Sequence, residues 1–207
     1  MGFRIHSASV ALPLLLLLLA VVIIALTATS IMSSNTQVPQ EELQKYVDDA
    51  IKDITSYLKI QHVYATYSQH KPYHLTKIAI QATPLFHQEI SLSNWIIQIQ
   101  TKSNLQLYTY NYTVSQIDSS GVFSHPQWNQ LSPQYYGILS IKDSDNSLNT
   151  HHSFSEPNDM AFFTLPVSHL SLENNDKITL FLSPGTGVEK TMTFSLPIPT
   201  QKVIQLR

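Results

Sequence analysis

The chain has 207 residues, with 12 lysines and arginines against 14 aspartates and glutamates and a formal net charge of -2. This balance excludes the basic surface that nucleic-acid binding requires. The chain has no cysteine, which excludes disulfide bonds, thiol catalysis and zinc–thiolate sites.

An uncharged apolar run extends from Val10 to Ala28. As a helix it would be about 28 Å long, close to the hydrocarbon thickness of a bilayer. We therefore predict one membrane-spanning helix, because the apolar core of a cleavable secretory signal is usually shorter. Secretion with cleavage near Thr29 is the alternative. Arg4 precedes the run and the first acid is Glu41, so the C-terminal part is predicted to lie outside the cell.

A second helical pattern follows a polar break. Pro39 with Glu41 and Glu42 marks a helix start, and apolar residues recur at helical spacing from Leu43 to Leu58. Two interpretations remain open. This amphipathic helix lies on its own globular domain, or it extends the membrane helix into a stem that packs against the stems of neighbouring subunits.

After the second helix the pattern changes to short, mostly alternating segments rich in β-branched and aromatic residues, separated by polar turns. Because no helical segments lie between them, we predict an all-β antiparallel sandwich, immunoglobulin-like or barrel-like. Residues 116–135 and 146–159 are predicted to be long surface loops. The predicted strands are 62–67, 75–82, 95–101, 105–114, 136–141, 161–165, 177–183, 189–196 and 202–206.

The sequence contains few candidates for catalysis or metal binding. The best histidine cluster is His151-His152 near Glu156 and Asp159, and an exposed polar loop is the favoured interpretation over a divalent-ion site. The acids are scattered through turns, none of them in an apolar setting that would shift its pKa. We predict no catalytic, cofactor or metal site, and no enzyme.

Two short motifs have simple structural interpretations. Asn111-Tyr112-Thr113 is the one N-x-S/T sequon of the chain, and an extracellular domain would allow a glycan on Asn111. The sequon falls within a predicted strand. Gly185 and Gly187 are predicted to allow positive φ in a hairpin turn between two strands.

In the order of its segments the chain resembles the archaeal flagellins (archaellins), the subunits of the archaeal swimming filament. Each matching segment alone is short, and the match lies in their common order along nearly the whole length. The segments are the apolar N-terminal run, residues 54–58 closing the stem, residues 75–84 followed by 89–93, the strand and Pro/Gly turn of residues 180–187, and the closing strand of residues 197–206.

The resemblance implies a membrane-inserted precursor whose leader, residues 1–8, is removed between Ala8 and Ser9 by a prepilin-peptidase-like enzyme. Archaellin leaders usually place Lys or Arg just before the cleavage site, whereas Arg4 here is four residues away. The mature N-terminal helix and stem, residues 9–60, then pack in the filament core, and the β domain, residues 61–207, forms the outer wall. The expected core-helix residues are Leu14, Leu17, Val21, Ile24, Val47, Ile51, Ile54 and Leu58.

The expected function is therefore that of a structural subunit of an extracellular archaellum, for motility or adhesion. It would polymerise with itself, alone or with other archaellins, and would need no cofactor. The first alternative is a non-polymerising archaellum accessory protein, anchored by one transmembrane helix, whose extracellular β-sandwich binds the cell envelope or the filament base. The second is an unrelated anchored or secreted β-sandwich that binds a ligand.

Overall fold

The computed structural model describes residues 44–47, 58–68, 73–185 and 187–206. It divides the chain into two units, Met1–Ala50 and Ile51–Arg207. In the first unit residues 44–47 are helical, and Val47 is 47% exposed. Among the described residues, no helix has the length and apolar character to cross a membrane. The expected span, the cleavage site at Ala8 and Ser9, and the core-helix residues Leu14, Leu17, Val21, Ile24, Ile51 and Ile54 lie outside the described residues.

The second unit is built almost entirely from strands, joined by turns and by five short helices. The strands are β1 (Leu58–Tyr67), β2 (Leu75–Pro84), β3 (Ile90–Ser91), β4 (Ile96–Gln100), β5 (Leu105–Gln116), β6 (Tyr135–Lys142), β7 (Ser153–Phe154), β8 (Met160–Pro166), β9 (Lys177–Ser183), β10 (Lys190–Ser195) and β11 (Val203–Leu206). The helices are α1 (Ser147–Thr150) and the 3-10 turns Leu92–Asn94, Val122–Ser124, Pro126–Gln130 and Ser168–Leu170.

Nine strands form one continuous sheet in the order β10-β9-β4-β5-β6-β8-β2-β1-β11, and β3 pairs with β7. Strand β5 connects two layers, since it pairs with β4 up to Tyr108 and with β6 from Thr109 onward. A strand that passes from one layer to the other is typical of a folded-over sheet. The predicted β-sandwich is confirmed, with one difference: the β5–β6 pair is parallel.

The core lies between the two layers and follows from strand alternation. In β9, Ile178, Leu180 and Leu182 are fully buried while the residues between them face outward. Ile80 of β2 and Phe163 of β8 belong to the same buried cluster from the other layer. Each such side chain contributes roughly 1.5–3 kcal/mol to folding through its burial.

The expected boundary between stem and β domain was wrong. Strand β1 begins at Leu58, which pairs with Pro84 and is 2% exposed in the domain core. Leu58 is therefore a strand residue and not part of a core helix, and the β domain includes residues 58–60. The error arose because Leu58 also continues the helical spacing of residues 43–54. In addition, the register of β1 shifts between Ile60 and His62. This shift breaks the alternation of inward and outward residues from which the start of the strand could have been predicted.

The predicted surface loop at residues 116–135 packs against the sheet. Gln127 and Trp128 are 1% and 7% exposed. Lys77 holds this segment from β2: its Nζ donates to the Phe123 carbonyl at 2.7 Å and lies 4.9 Å from the centre of the Trp128 ring. The Trp128 Nε1 in turn donates to the Val122 carbonyl. The segment is therefore a structural cover.

This cover explains why the larger layer, formed by β5, β6, β8, β2, β1 and β11, is apolar on both faces. A second hydrophobic cluster, made of Ala79, Leu139 and Phe162, lies on the outer face, and Val122 and Phe123 pack against it. The sequence indicated this burial on both faces at residues 78–80, where three consecutive residues are apolar. A strand with one exposed face would alternate apolar and polar residues there.

The turn between β9 and β10 contains the two glycines for which positive φ was predicted. Gly187 has φ of 113°, as predicted. Gly185 is instead required for close packing, because a Cβ there would lie 3.0 Å from the Cβ of Asn94.

Candidate functional site

Three carboxylates from two segments meet beside one end of the sheet. Asp143 and Asp145 lie in the turn between β6 and α1, and Asp159 immediately precedes β8. One carboxylate oxygen from each lies within 4.8 Å of the other two. We call Asp143, Asp145 and Asp159 the acidic cluster.

Asp159 is the buried member of the acidic cluster, at 1% exposure. Its Oδ2 accepts hydrogen bonds from the backbone N–H groups of Ser155 at 3.0 Å and Glu156 at 2.9 Å, which fix the side chain. Its Oδ1 is buried and has no hydrogen-bond partner among the described residues. A buried carboxylate oxygen normally has a partner, so this oxygen is suited to a ligand.

The electrostatics of the acidic cluster differ between its members. Burial raises the pKa of Asp143, and the nearby Asp159 and Asp145 carboxylates add to the effect. Hydrogen bonds, first of all from the Ser155 hydroxyl, lower the pKa of Asp145 to about 2. Carboxylate oxygens are the ligands that Ca²⁺ and Mg²⁺ prefer. The three residues could therefore hold a divalent cation, which would relieve the mutual repulsion.

The acidic cluster was not predicted from the sequence. It placed no acid in a setting that would shift its pKa, which is wrong for Asp143, whose pKa is raised by burial, and it considered His151 and His152 instead. The Nδ1 atoms of these histidines interact with the Thr150 hydroxyl at 2.9 Å and the Tyr110 hydroxyl at 2.8 Å, respectively. The available signal was the Asp-x-Asp spacing of residues 143–145 in a turn.

The sequon Asn111-Tyr112-Thr113 forms a bulge in β5. Its three residues face the single residue Gly137 of β6, since the register passes from Tyr110↔Tyr136 to Val114↔Ile138. The Asn111 Nδ2 donates to the Thr113 Oγ1 at 3.1 Å. The sequon is thus in a strand, as predicted, but at a point where the ladder is interrupted.

Tyr112, the middle residue of the sequon, has a left-handed backbone with φ of 52° and is 66% exposed. This conformation is strained for a bulky residue. His152 has a similar φ of 53° and lies edge-on to the Tyr112 ring, with the ring centres 5.8 Å apart. Together with the Tyr110–His152 hydrogen bond, this contact holds the bulge and presents Asn111 beside an exposed aromatic side chain.

Comparison with solved structures identifies the class of fold. The chain is similar to the archaeal flagellin FlaB1 from Methanocaldococcus jannaschii, with 21% identity over 72% of this chain and 95% of that chain and a TM-score of 0.63. It is also similar to the archaeal flagellum of Methanospirillum hungatei strain JF1, with 13% identity over 94% of this chain and 97% of that chain and a TM-score of 0.57.

These two matches place the β domain in the class of archaellum folds, and within that class the fold is that of an archaeal flagellin. The resemblance that the sequence indicated is confirmed at the level of the fold. The archaellum periplasmic stator protein FlaG from Sulfolobus acidocaldarius matches with 16% identity over 67% of this chain and 98% of that chain. Its TM-score of 0.39 is too low to indicate a shared fold. No family model matches the sequence.

Proposed function

We propose that this chain is an archaellin, a structural subunit of an extracellular archaeal filament that polymerises through its apolar N-terminal segment. The observation that carries the proposal is the likeness to the Methanospirillum hungatei flagellum, which extends over 94% of this chain. The apolar run of residues 10–28 supports it, since a uniformly apolar helix suits both a lipid bilayer and a bundle of identical helices.

The proposal includes a membrane-inserted precursor, cleaved between Ala8 and Ser9 by a prepilin-peptidase-like enzyme, with the β domain outside the cell. The proposed role is structural, in motility or adhesion. This structural role requires no cofactor. A cation in the acidic cluster would stabilise the β domain.

The decisive experiment combines mass spectrometry of the N-terminus with sedimentation of sheared cell-surface material. A protein that begins at Ser9 and sediments as filaments is the expected result. An intact Met1 found in membranes alone would favour the anchored accessory protein instead. A soluble protein that begins near Thr29 would contradict a retained N-terminal helix.

We further propose that Asn111 carries an N-linked glycan, because the bulge presents the sequon outside the regular ladder. The native protein should migrate above its sequence mass in a denaturing gel, and Asn111→Gln should abolish that excess. Asn104→Gln, in the β4–β5 turn and outside any sequon, is the matched control and should leave it unchanged. Equal mobility of native protein and Asn111→Gln would contradict the assignment.

A further inference from the structure

The outer face of the β10-β9-β4-β5 layer breaks the rule that an exposed sheet face is polar. Ile96, Leu105 and Leu107 are 45%, 60% and 50% exposed. Leu107 lies opposite Gln98, which lies opposite Phe181 on its other side, so apolar side chains of β5 and β9 flank one glutamine, and Ile96 is the exposed apolar residue of β4 on this face. We call the outward side chains of Ile96, Gln98, Leu105, Leu107 and Phe181 the apolar face.

The polar members of this layer are uncharged except at its two ends, where Lys177 lies at one end and Glu189, which accepts a hydrogen bond from Thr191, lies at the other. Outward positions of β9 and β10 are occupied by Thr179, Ser183, Thr191 and Thr193. Exposed sheet surfaces usually carry charges that prevent association, and large apolar side chains grouped on one exposed sheet face indicate a contact site. A strongly charged partner would be poorly matched to this surface.

Two lysines mark one end of the apolar face. Lys102, in the β4–β5 turn, and Lys177, at the start of β9, are exposed and line the same depression beside Gln100 and Thr179. Neither lysine forms an ion pair within the described part of the chain. Asp176 lines a neighbouring depression together with both lysines, so two positive charges stand against one negative charge here. The face therefore combines apolar side chains with an end that is positive on balance.

The β2–β3 loop has the complementary character. Leu85 and Phe86 are adjacent and 46% and 39% exposed, and Glu89 follows them, exposed and without an ion-pair partner among the described residues. We call Leu85, Phe86 and Glu89 the apolar knob. It combines two apolar side chains with one negative charge.

The knob and the positive end of the face lie at opposite ends of the domain. Strand β2 is antiparallel to β8, β8 is antiparallel to β6, and β6 is parallel to β5, so β2 and β5 run in the same direction. The knob follows the end of β2, whereas Lys102 precedes the start of β5. One copy thus offers the two halves of a contact at different places on its surface.

We propose that the apolar face docks the apolar knob of a second copy of this chain, with Glu89 of one copy near Lys102 and Lys177 of the next. This inference rests on the proposed function. A contact between two different surfaces of identical chains generates a closed ring or an open helical polymer, according to the rotation between successive copies, and the open polymer is the form that the proposed function requires. Matching charges at the rim set the orientation, while burial of the apolar side chains supplies the affinity.

The absence of cysteine permits a direct test in the full-length chain. Phe86→Cys and Leu107→Cys are made separately, mixed, assembled and treated with a short bismaleimide. We expect a dimer that contains one copy of each variant. We also expect the Leu107→Cys thiol to react with a maleimide in dissociated subunits but not in filaments. Ser119→Cys, in an exposed turn after β5 and outside both defined surfaces, is the control and should react in both states.

Charge reversal provides a second measurement that does not depend on the cysteines. Lys177→Glu and Glu89→Lys should each reduce the yield of sedimented filaments, and the double variant should restore it. Filaments in which Leu107→Cys reacts as fast as in free subunits, with no mixed dimer, would overturn the docking proposal and leave the filament function standing. Native protein that never sediments as filaments would overturn both.

Discussion

At the scale of single residues, Asp159 is the most informative. It is 1% exposed, and its Oδ1 has no hydrogen-bond partner in the described part of the chain. Burying a carboxylate costs several kcal/mol unless its oxygens are compensated. A cation held between Asp143, Asp145 and Asp159 would compensate all three, so the acidic cluster predicts a dependence of stability on divalent ions.

Adding Ca²⁺ to metal-free protein should raise the Tm by roughly 5–10 °C at a concentration about 100-fold above Kd. The shift, measured by thermal unfolding monitored with circular dichroism, should be largely lost in Asp159→Asn, which keeps the side-chain size and removes the charge. Asp118→Asn, an exposed acid outside the acidic cluster, should retain it. An unchanged Tm of the native protein with Ca²⁺ and Mg²⁺ would contradict the site.

The pKa shifts predict different effects for the two partners of Asp159 when cations are removed. Because the pKa of Asp145 is lowered to about 2, its ionised form stabilises the fold at neutral pH, and this stabilisation is lost as the pH falls toward 2. Because the pKa of Asp143 is raised, the fold loses stability as the pH rises through that pKa.

In EDTA at pH 7, Asp145→Asn should therefore lower the Tm, and the deficit should shrink as the pH approaches 2. Asp143→Asn should leave the Tm at pH 7 unchanged or raise it. Thermal unfolding over a pH series measures both effects. Equal losses in the two variants at pH 7 would show that the assignment of the shifts is wrong.

At the scale of elements, the segment between β5 and β6 does more than connect them. Its Phe123 and Trp128 rings stack with centres 6.1 Å apart, and Lys77 ties it to β2. The segment covers Leu139 and Phe162, which would otherwise be exposed on the outer face of the larger layer.

Trp128→Ala should therefore lower the free energy of unfolding by about 3 kcal/mol, as expected for removal of a largely buried aromatic side chain. Urea unfolding of the dissociated subunit provides the measurement. Val188→Ala, at a position that is 62% exposed, should cost no more than about 0.5 kcal/mol. A loss of that small size for Trp128→Ala would mean that the segment is a surface loop after all.

At the scale of the whole molecule, the proposed filament depends on an uninterrupted apolar N-terminal helix. Leu17→Asp should abolish filament assembly, since an aspartate at the centre of an apolar helix costs roughly 2.5–3.5 kcal/mol even on membrane-insertion scales. Electron microscopy and sedimentation measure the outcome. Leu17→Ile should assemble normally, and normal filaments from Leu17→Asp would contradict an apolar assembly core.

The sequence by itself determined the features that depend on near neighbours. Strand alternation is a local property, and the nine strands predicted from it all correspond to strands of the sheet. The missed strands, β3 and β7, have two residues each, which is too short for any period to show.

The tertiary structure decided what depends on contacts between distant segments. Leu58 fits a helical stripe and a strand equally well, and its pairing with Pro84 made it a strand residue. The parallel β5–β6 pair, the packing of the 117–134 segment on the sheet through Gln127 and Trp128, and the acidic cluster likewise required segments far apart in sequence to meet. Spacing along the chain fixes which way a side chain points, whereas its partners become known when the layers pack.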